Sequence, residues 1–514
     1  MGNIRKQTII SSILVYIGFF IGFINNYFYT STAPFGFKGA NIFTPAQYAL
    51  TQMFFNSSQI FFAFGALGVI PVVYKFYPYY KDNLEEKKID LVSWALLISF
   101  IGFILVFCFG IFLEPYFVRI FSENSPLYAE NYIWLFPLTA GTIFFSVAES
   151  FCWAVQRSVV SNFLKETFMR LVLTVLIVLY CCKVIDFQQF VIFFSFQFLL
   201  IFFILLVYLY RTKHLYFTLK ISRVTRKFWK KMLSMQALIY SGTCIAMLAS
   251  SIDILIIGGM IDMTQAGIYG FAFYLSNLIQ VPQRSIQAVS ASVLSRSWKD
   301  KNHREISRIY SRSSINLLLM SLFIFGNIWL NILPAIQVFK IQKAFTEGMG
   351  VFLVLGLVRI IDAGTGLSQM VINTSTYWRY DFFSRLVLLL LRLPLTFLLI
   401  TNYGIIGSAF AELISYTVYT FIGYEFLRRK FKLQPFSFQT LYSLLLGTGA
   451  FALCFFTMNG VGGLLGLILR GGVFSALMIV GVFYWKLTPD AGQLYAVLLG
   501  RVDGFKNRRK KNIE

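Results

Sequence analysis

Apolar runs of about 20 residues, each long enough to cross a hydrocarbon core of roughly 30 Å as a helix, recur from one end of this chain to the other, and few folds accommodate that. Fourteen can be delimited, at residues 8–30, 46–74, 91–113, 131–155, 166–182, 188–210, 234–258, 265–293, 313–335, 348–373, 384–401, 404–427, 436–457 and 464–485. Composition agrees. Of 514 residues 57% are hydrophobic and 13% charged, and the mean hydropathy of +0.70 is not that of a soluble domain. The expectation is an all-α polytopic membrane protein with about 14 transmembrane helices. The first run, TIISSILVYIGFFIGFINNYFY, follows Arg5 and Lys6 directly and is too long for a signal-peptide core, so it reads as the first span.

Charge gives the runs a direction. With the amino terminus inside, 36 of the 45 Lys and Arg fall in inside loops and tails, while the outside loops hold Lys38, Arg119, Lys183, Lys340 and Lys343. Cytoplasmic loops are enriched in these residues, which favours an even number of spans with both termini in the cytoplasm. The net charge of +23 follows from basic clusters such as KISRVTRKFWKK, SRSWKDKNHR and KNRRKK on that side. They suit anionic membrane lipids, and nucleic acid is not an expected partner. The cysteines at 108, 152, 181, 182, 244 and 454 lie in or at the ends of spans and read as packing residues. His214 and His303 stand in separate loops, so neither a metal site nor a cofactor is expected.

Several membrane segments carry polar residues. In the run YLSNLIQVPQRSIQ (274–287), an unbroken helix would bring Asn277, Gln280, Arg284 and Gln287 within an arc of about 80°. Gln52, Asn56 and Gln59 form a shorter stripe in the second run. An intramembrane cation costs at least about 2.5 kcal/mol and usually faces a partner or a watery cavity, so Arg284 is a candidate ligand-binding residue. Pro282 implies a missing backbone bond and a bend. Aligning Thr44 onward with Thr264 onward pairs Tyr48, Asn56 and Gln59 with Tyr269, Asn277 and Gln280, the pattern of an internal repeat. Arg392 and Glu412 lie at equal depth on either side of the turn near Asn402 and read as a structural pair. Arg359 and Asp362 are close enough to pair on one helix face. Asp253 and Glu149 lack an evident sequence partner and are candidates for coupling to H⁺ or Na⁺.

The segments FTPAQYALTQMFFNSSQIFFAFGALGVIPVVYKFYPYY (43–80), SSIDILIIGGM (250–260) and MTQAGIYGFAFYLSNLIQVPQRSIQAVSASVLSRSW (263–298) resemble the second, seventh and eighth spans of the multidrug/oligosaccharidyl-lipid/polysaccharide exporter superfamily, within it the bacterial O-antigen and capsule flippases. The resemblance implies two six-helix lobes around a central cleft plus two C-terminal helices. On this chain these would be an N-terminal lobe at 1–215, a C-terminal lobe at 216–430, two added spans at 431–490 and a basic cytoplasmic tail at 491–514. It further implies that basic cleft residues hold a diphosphate, for which Arg284, Arg359 and Arg157 are the candidates here, and a place in the bacterial cytoplasmic membrane beside other polysaccharide-assembly proteins.

The implied function is that of a flippase, not an enzyme, moving polyprenyl-diphosphate-linked oligosaccharides outward by alternating access. Uncatalysed crossing is forbidden, because each unpaired polar group costs roughly 2–7 kcal/mol in hydrocarbon. A drug or cation antiporter of the same fold and a peptidoglycan-precursor flippase are the alternatives. For the latter several arginines are expected in the first and eighth spans, whereas the first offers Asn25 and Asn26. A membrane polysaccharide polymerase would need a large outer loop with clustered catalytic groups, and the outer loops are short.

Overall fold

The computed structural model describes residues 2–34, 39–213, 215–458 and 460–489, apart from the side chains of 2–12, 238, 288, 289, 292 and 378. The basic tail at 491–514, Lys38 and His214 therefore lie outside the described residues. The chain forms two compact units that divide between Phe271 and Ala272. The first contains α1 (Gly2–Thr30), α2 (Pro45–Gly65), α3 (Val69–Asn83), α4 (Leu91–Phe121), α5 (Pro126–Glu130), α6 (Leu135–Ala154), α7 (Ser158–Asn162), a π-helical segment (Phe163–Phe168), α8 (Met169–Cys181), α9 (Phe187–Arg211), α10 (Arg223–Met260) and the first half of α11 (Met263–Leu278). The second contains the rest of α11, then α12 (Val281–Lys299), α13 (His303–Val338), α14 (Met349–Gly364), α15 (Ser368–Thr374), α16 (Trp378–Tyr403), α17 (Ile405–Phe431), α18 (Phe438–Met458) and α19 (Gly463–Tyr484).

The protein is all-α and polytopic. Among the described residues eleven helical segments are long and apolar enough to cross a membrane, and α2 with α3, bent by 52° at a short break, makes a twelfth. The exact count of 14 is not confirmed, because two of the expected runs are divided among shorter helical segments. The fifth apolar run falls across the π-helical segment and α8, in a helix that continues without a break from α7 over residues 158–181. The eighth run is interrupted: the backbone tightens at Ile279 and Gln280, and α12 starts afresh with Pro282 in its first turn.

Helix starts are chemically marked. Thr44 Oγ1 accepts from Gln47 N at 3.1 Å while Gln47 Oε1 accepts from Thr44 N at 3.0 Å, a reciprocal cap that opens α2. Asp186 and Gln189 repeat it at α9 with bonds of 2.7 and 3.1 Å.

Each unit also contains a glycine break whose freed backbone groups are met by a neighbouring helix. Between α2 and α3, Gly68 has φ +69, and a Cβ there would stand 2.7 Å from the Gln236 carbonyl oxygen of α10. The Gln236 amide donates to the Leu67 carbonyl at 2.7 Å, replacing the lost helical bond. Between α14 and α15, Gly366 has φ +63 with the Ser314 backbone of α13 equally close. There Ser314 Oγ donates to the Gly364 carbonyl, and Leu367 N donates to Ser313 Oγ at 3.3 Å.

Packing is dense on the inner faces. In the first unit α6 is the most enclosed span, burying Leu135, Leu138, Ile143, Phe145 and Val147. In the second, Phe474 of α19 sits against Leu318, Leu322 and Leu330 of α13 and Cys454 of α18. All six cysteines are free, four of them buried.

Candidate transport site

Among the described residues the largest assembly of buried charge lies in the second unit, where α12, α14, α16 and α17 meet around two carboxylates. Glu412 of α17 lies between two guanidiniums, with Oε1 3.1 Å from Arg359 Nη1 of α14 and Oε2 2.7 Å from Arg392 Nη2 of α16. One helical turn from Arg359, Asp362 Oδ2 accepts from Gln280 Nε2 at the α11–α12 break and from Gln283 Nε2 of α12, both at 3.0 Å. Arg359 also covers the Phe273 ring, 5.4 Å from its centroid. Arg359, Asp362, Arg392 and Glu412 are each more than nine-tenths buried. With two charges of each sign the group is formally neutral, as a low-dielectric site requires. The carboxylate that Arg359 meets is Glu412, from a helix the sequence did not connect to it. Gln283, which is absent from the expected stripe, is one of the two amides on Asp362. A third carboxylate, Asp381, accepts from Arg385 Nε at 2.7 Å and from the Tyr419 hydroxyl at 3.2 Å.

The break at 279–280 also redistributes the stripe. Gln280 and Gln283 turn towards Asp362, whereas Arg284, the next residue, is exposed. Asn277 and Gln287 are half-buried on either side. The single polar face expected of an unbroken helix is thus two surfaces, one closed on a carboxylate and one open at Arg284.

Polar groups in the first unit are compensated differently. Asp253 of α10 is buried and accepts from the Tyr269 hydroxyl of α11 at 3.3 Å. The Tyr48 hydroxyl of α2 donates to Asn26 Oδ1 of α1 at 2.8 Å. Both tyrosines of the proposed repeat are buried and reach back to a polar residue of the preceding long helix. Glu149 of α6 is buried and meets Lys165 Nζ at 2.9 Å, with Lys165 38% exposed; the two are 16 residues apart, across the bend of α7, a separation with no helical register. Asn25 holds α8, donating to the Arg170 carbonyl at 2.9 Å and accepting from Thr174 Oγ1 at 2.7 Å. Gln52, Asn56 and Gln59 are half-buried along α2, and Asn56 Nδ2 donates to the Gln52 carbonyl at 2.8 Å. Arg157 is exposed in the bend before α7. Among the described residues no group of three His, Cys, Asp or Glu side chains is placed to hold a metal ion.

No protein-family model matches the chain, and no curated protein matches it in sequence. Solved structures do match it. The inward closed conformation of the lipid II flippase MurJ superposes with a TM-score of 0.70 and 14% identity, covering 94% of this chain and 99% of that one. An inward-facing MATE-family multidrug resistance transporter of the MOP superfamily gives 0.62 and 11%, over 82% and 98%. A MOP superfamily transporter from Pyrococcus furiosus, described by the reverse polarity of its binding pocket, gives 0.54 and 13%, over 84% and 96%. The chain has the fold these membrane transporters share. At such identities that likeness concerns the fold, and what the protein carries must be argued from its residues.

Proposed function

We propose that the chain is a flippase that moves polyprenyl-diphosphate-linked oligosaccharide units from the cytoplasmic to the outer leaflet of a bacterial cytoplasmic membrane, by alternating access, for surface polysaccharide assembly. The observation that carries this reading is the exposed Arg284 on α12 with half-buried Asn277 and Gln287 on either side, a cation and amides suited to a diphosphate and sugars; the match to MurJ over 94% of the chain supports the fold it needs. Arg284 is the diphosphate ligand in this proposal, with Asn277, Gln287, Gln52, Asn56 and Gln59 as sugar contacts and Arg157 at the cytoplasmic entrance. Gln280 and Arg359 are already engaged with carboxylates and act as positioning residues. An inside-negative potential assists outward movement of phosphate by about 2.3 kcal/mol per charge per 100 mV, and Asp253 and Glu149 are the candidates for H⁺ or Na⁺ coupling.

A peptidoglycan-precursor flippase is the second reading, favoured by the same MurJ match. Against it, the first span has no arginine in its apolar part, and Asn25 there is spent on α8.

The test is transport in proteoliposomes of a fluorescent polyprenyl-diphosphate oligosaccharide by the native protein and by Arg284→Ala at matched expression. Loss of at least ten-fold in the variant is the expected result. Transport by neither protein, together with extrusion of a cationic dye by the native one, replaces the flippase with a drug antiporter.

A further inference from the structure

The α18–α19 hairpin has one formal charge within its two helices, Arg470, and its position is electrostatically wrong. α19 begins after the sequence Gly460-Val461-Gly462, and its N-cap, Gly462, offers no side chain to the first-turn amides. The Arg470 side chain doubles back towards that end. Its Nε donates to the Gly466 carbonyl at 3.2 Å, and Nη2 lies over Gly466, 3.1 Å from where a Cβ would stand. The guanidinium therefore lies at the end of the first turn of its own helix, one turn from the unbonded N–H groups of residues 463–465, which carry roughly half a positive charge. Two like charges face each other there.

No acidic group among the described residues compensates them; the polar neighbours are the Val461 carbonyl, which lies over Gly466, and Asn327 of α13 beside Gly471. Arg470 is 5% exposed, and its Nη2 has no hydrogen-bond partner among the described residues. α18, α19 and residues 313–338 of α13, which pack together here, contain no Asp or Glu. The space in front of the turn is open, since a Cβ built on Gly460, Gly462 or Gly463 would meet no atom within 4 Å. The connection between α18 and α19 has no Lys or Arg and lies at the end opposite the basic α17–α18 connection. The guanidinium sits about one turn, or roughly 5 Å, below the start of α19, a depth from which an arginine reaches headgroup phosphates by snorkelling.

We propose that the first turn of α19 and Arg470 form a binding site for the phosphate of a lipid headgroup in the leaflet that faces the α18–α19 connection. Free N–H groups at a helix start are suited to phosphate, and the guanidinium adds the charge-assisted bonds. The site is independent of the transport reading and would serve an antiporter equally.

The experiment titrates the full-length protein in detergent with phosphatidylglycerol, counts bound lipid by native mass spectrometry, and repeats the titration with inorganic phosphate as competitor. Two variants are compared. Arg470→Met removes the cation, and Gly462→Asp places a capping carboxylate in the open space at an ordinary φ of −88°. At least ten-fold weaker binding of the first lipid in both variants is expected, with the unfolding midpoint of lipid-free Arg470→Met equal to or above the native one because an unpaired buried cation is gone. Native-like lipid binding by both variants overturns the proposal; should Arg470→Met fold poorly, Gly462→Asp alone decides. Binding of inorganic phosphate without lipid dependence also overturns the lipid assignment, leaving a free-anion site.

Discussion

The two units keep carboxylates in an apolar interior by different means. In the second, Glu412 is enclosed by two arginines from two other helices, all three side chains dry. In the first, Glu149 meets a single lysine that remains 38% exposed, and Asp253 takes a tyrosine hydroxyl. The first arrangement cannot lose a member without leaving a buried charge bare, whereas the second has water within reach. The second unit is thus specified by long-range charge geometry and the first by hydroxyls, amides and aromatic packing.

The contrast can be broken experimentally, and the largest effect is expected at Glu412. Glu412→Gln should lower stability by about 3–5 kcal/mol, the cost of stripping a buried pair of its partner, while Glu149→Gln should cost about 1 kcal/mol or less, as for a partly hydrated pair. Equal losses in thermal or denaturant unfolding of the two variants would erase the distinction. The two glycine breaks should instead behave alike. Gly68→Ala and Gly366→Ala each force a left-handed backbone on an L-residue and push a Cβ into a neighbouring backbone, so each should cost about 1–3 kcal/mol; loss at only one would mean that the other break can straighten. The smallest effect is expected at the repeat-related tyrosines. Tyr48→Phe and Tyr269→Phe should each lower stability by about 1 kcal/mol, and a much larger loss at Tyr269 would set the Asp253 carboxylate apart from the Asn26 amide.

How much of this was legible depends on how local the cause is. Apolar runs mark spans because lipid contact acts residue by residue, so the helices between 8 and 485 were visible in outline. Their ends were not. α10 starts at Arg223 and α13 at His303, each about ten residues before the apolar run, since a helix can continue into water on intrahelical bonds that hydropathy does not register. Pro282 marked the start of α12, in whose first turn it stands. The register of Arg392 against Glu412 can be counted outward from the turn between α16 and α17. Arg359 approaches the same carboxylate from a third helix, and no counting rule connects them. The partners of Asp362 are similarly tertiary, although Gln283 stands three residues after Gln280, on the same helical face. Arg470 shows the converse: the charge is plain in the sequence, but its direction along α19 is not.

The bend between α2 and α3 has a mechanical consequence. Its corner is tied to α10 through Gln236 and Leu67 at 2.7 Å, and the far end of α3 is tied to the foot of α10 through Tyr80 and Thr225 at 2.8 Å, with Thr225 anchored in turn on Asp90 at 2.7 Å. A bent strut fastened to one long beam at its corner and at its tip is a braced truss. Folding at the corner would break one of these bonds, so a tilt of α10 draws the far end of α3 with it.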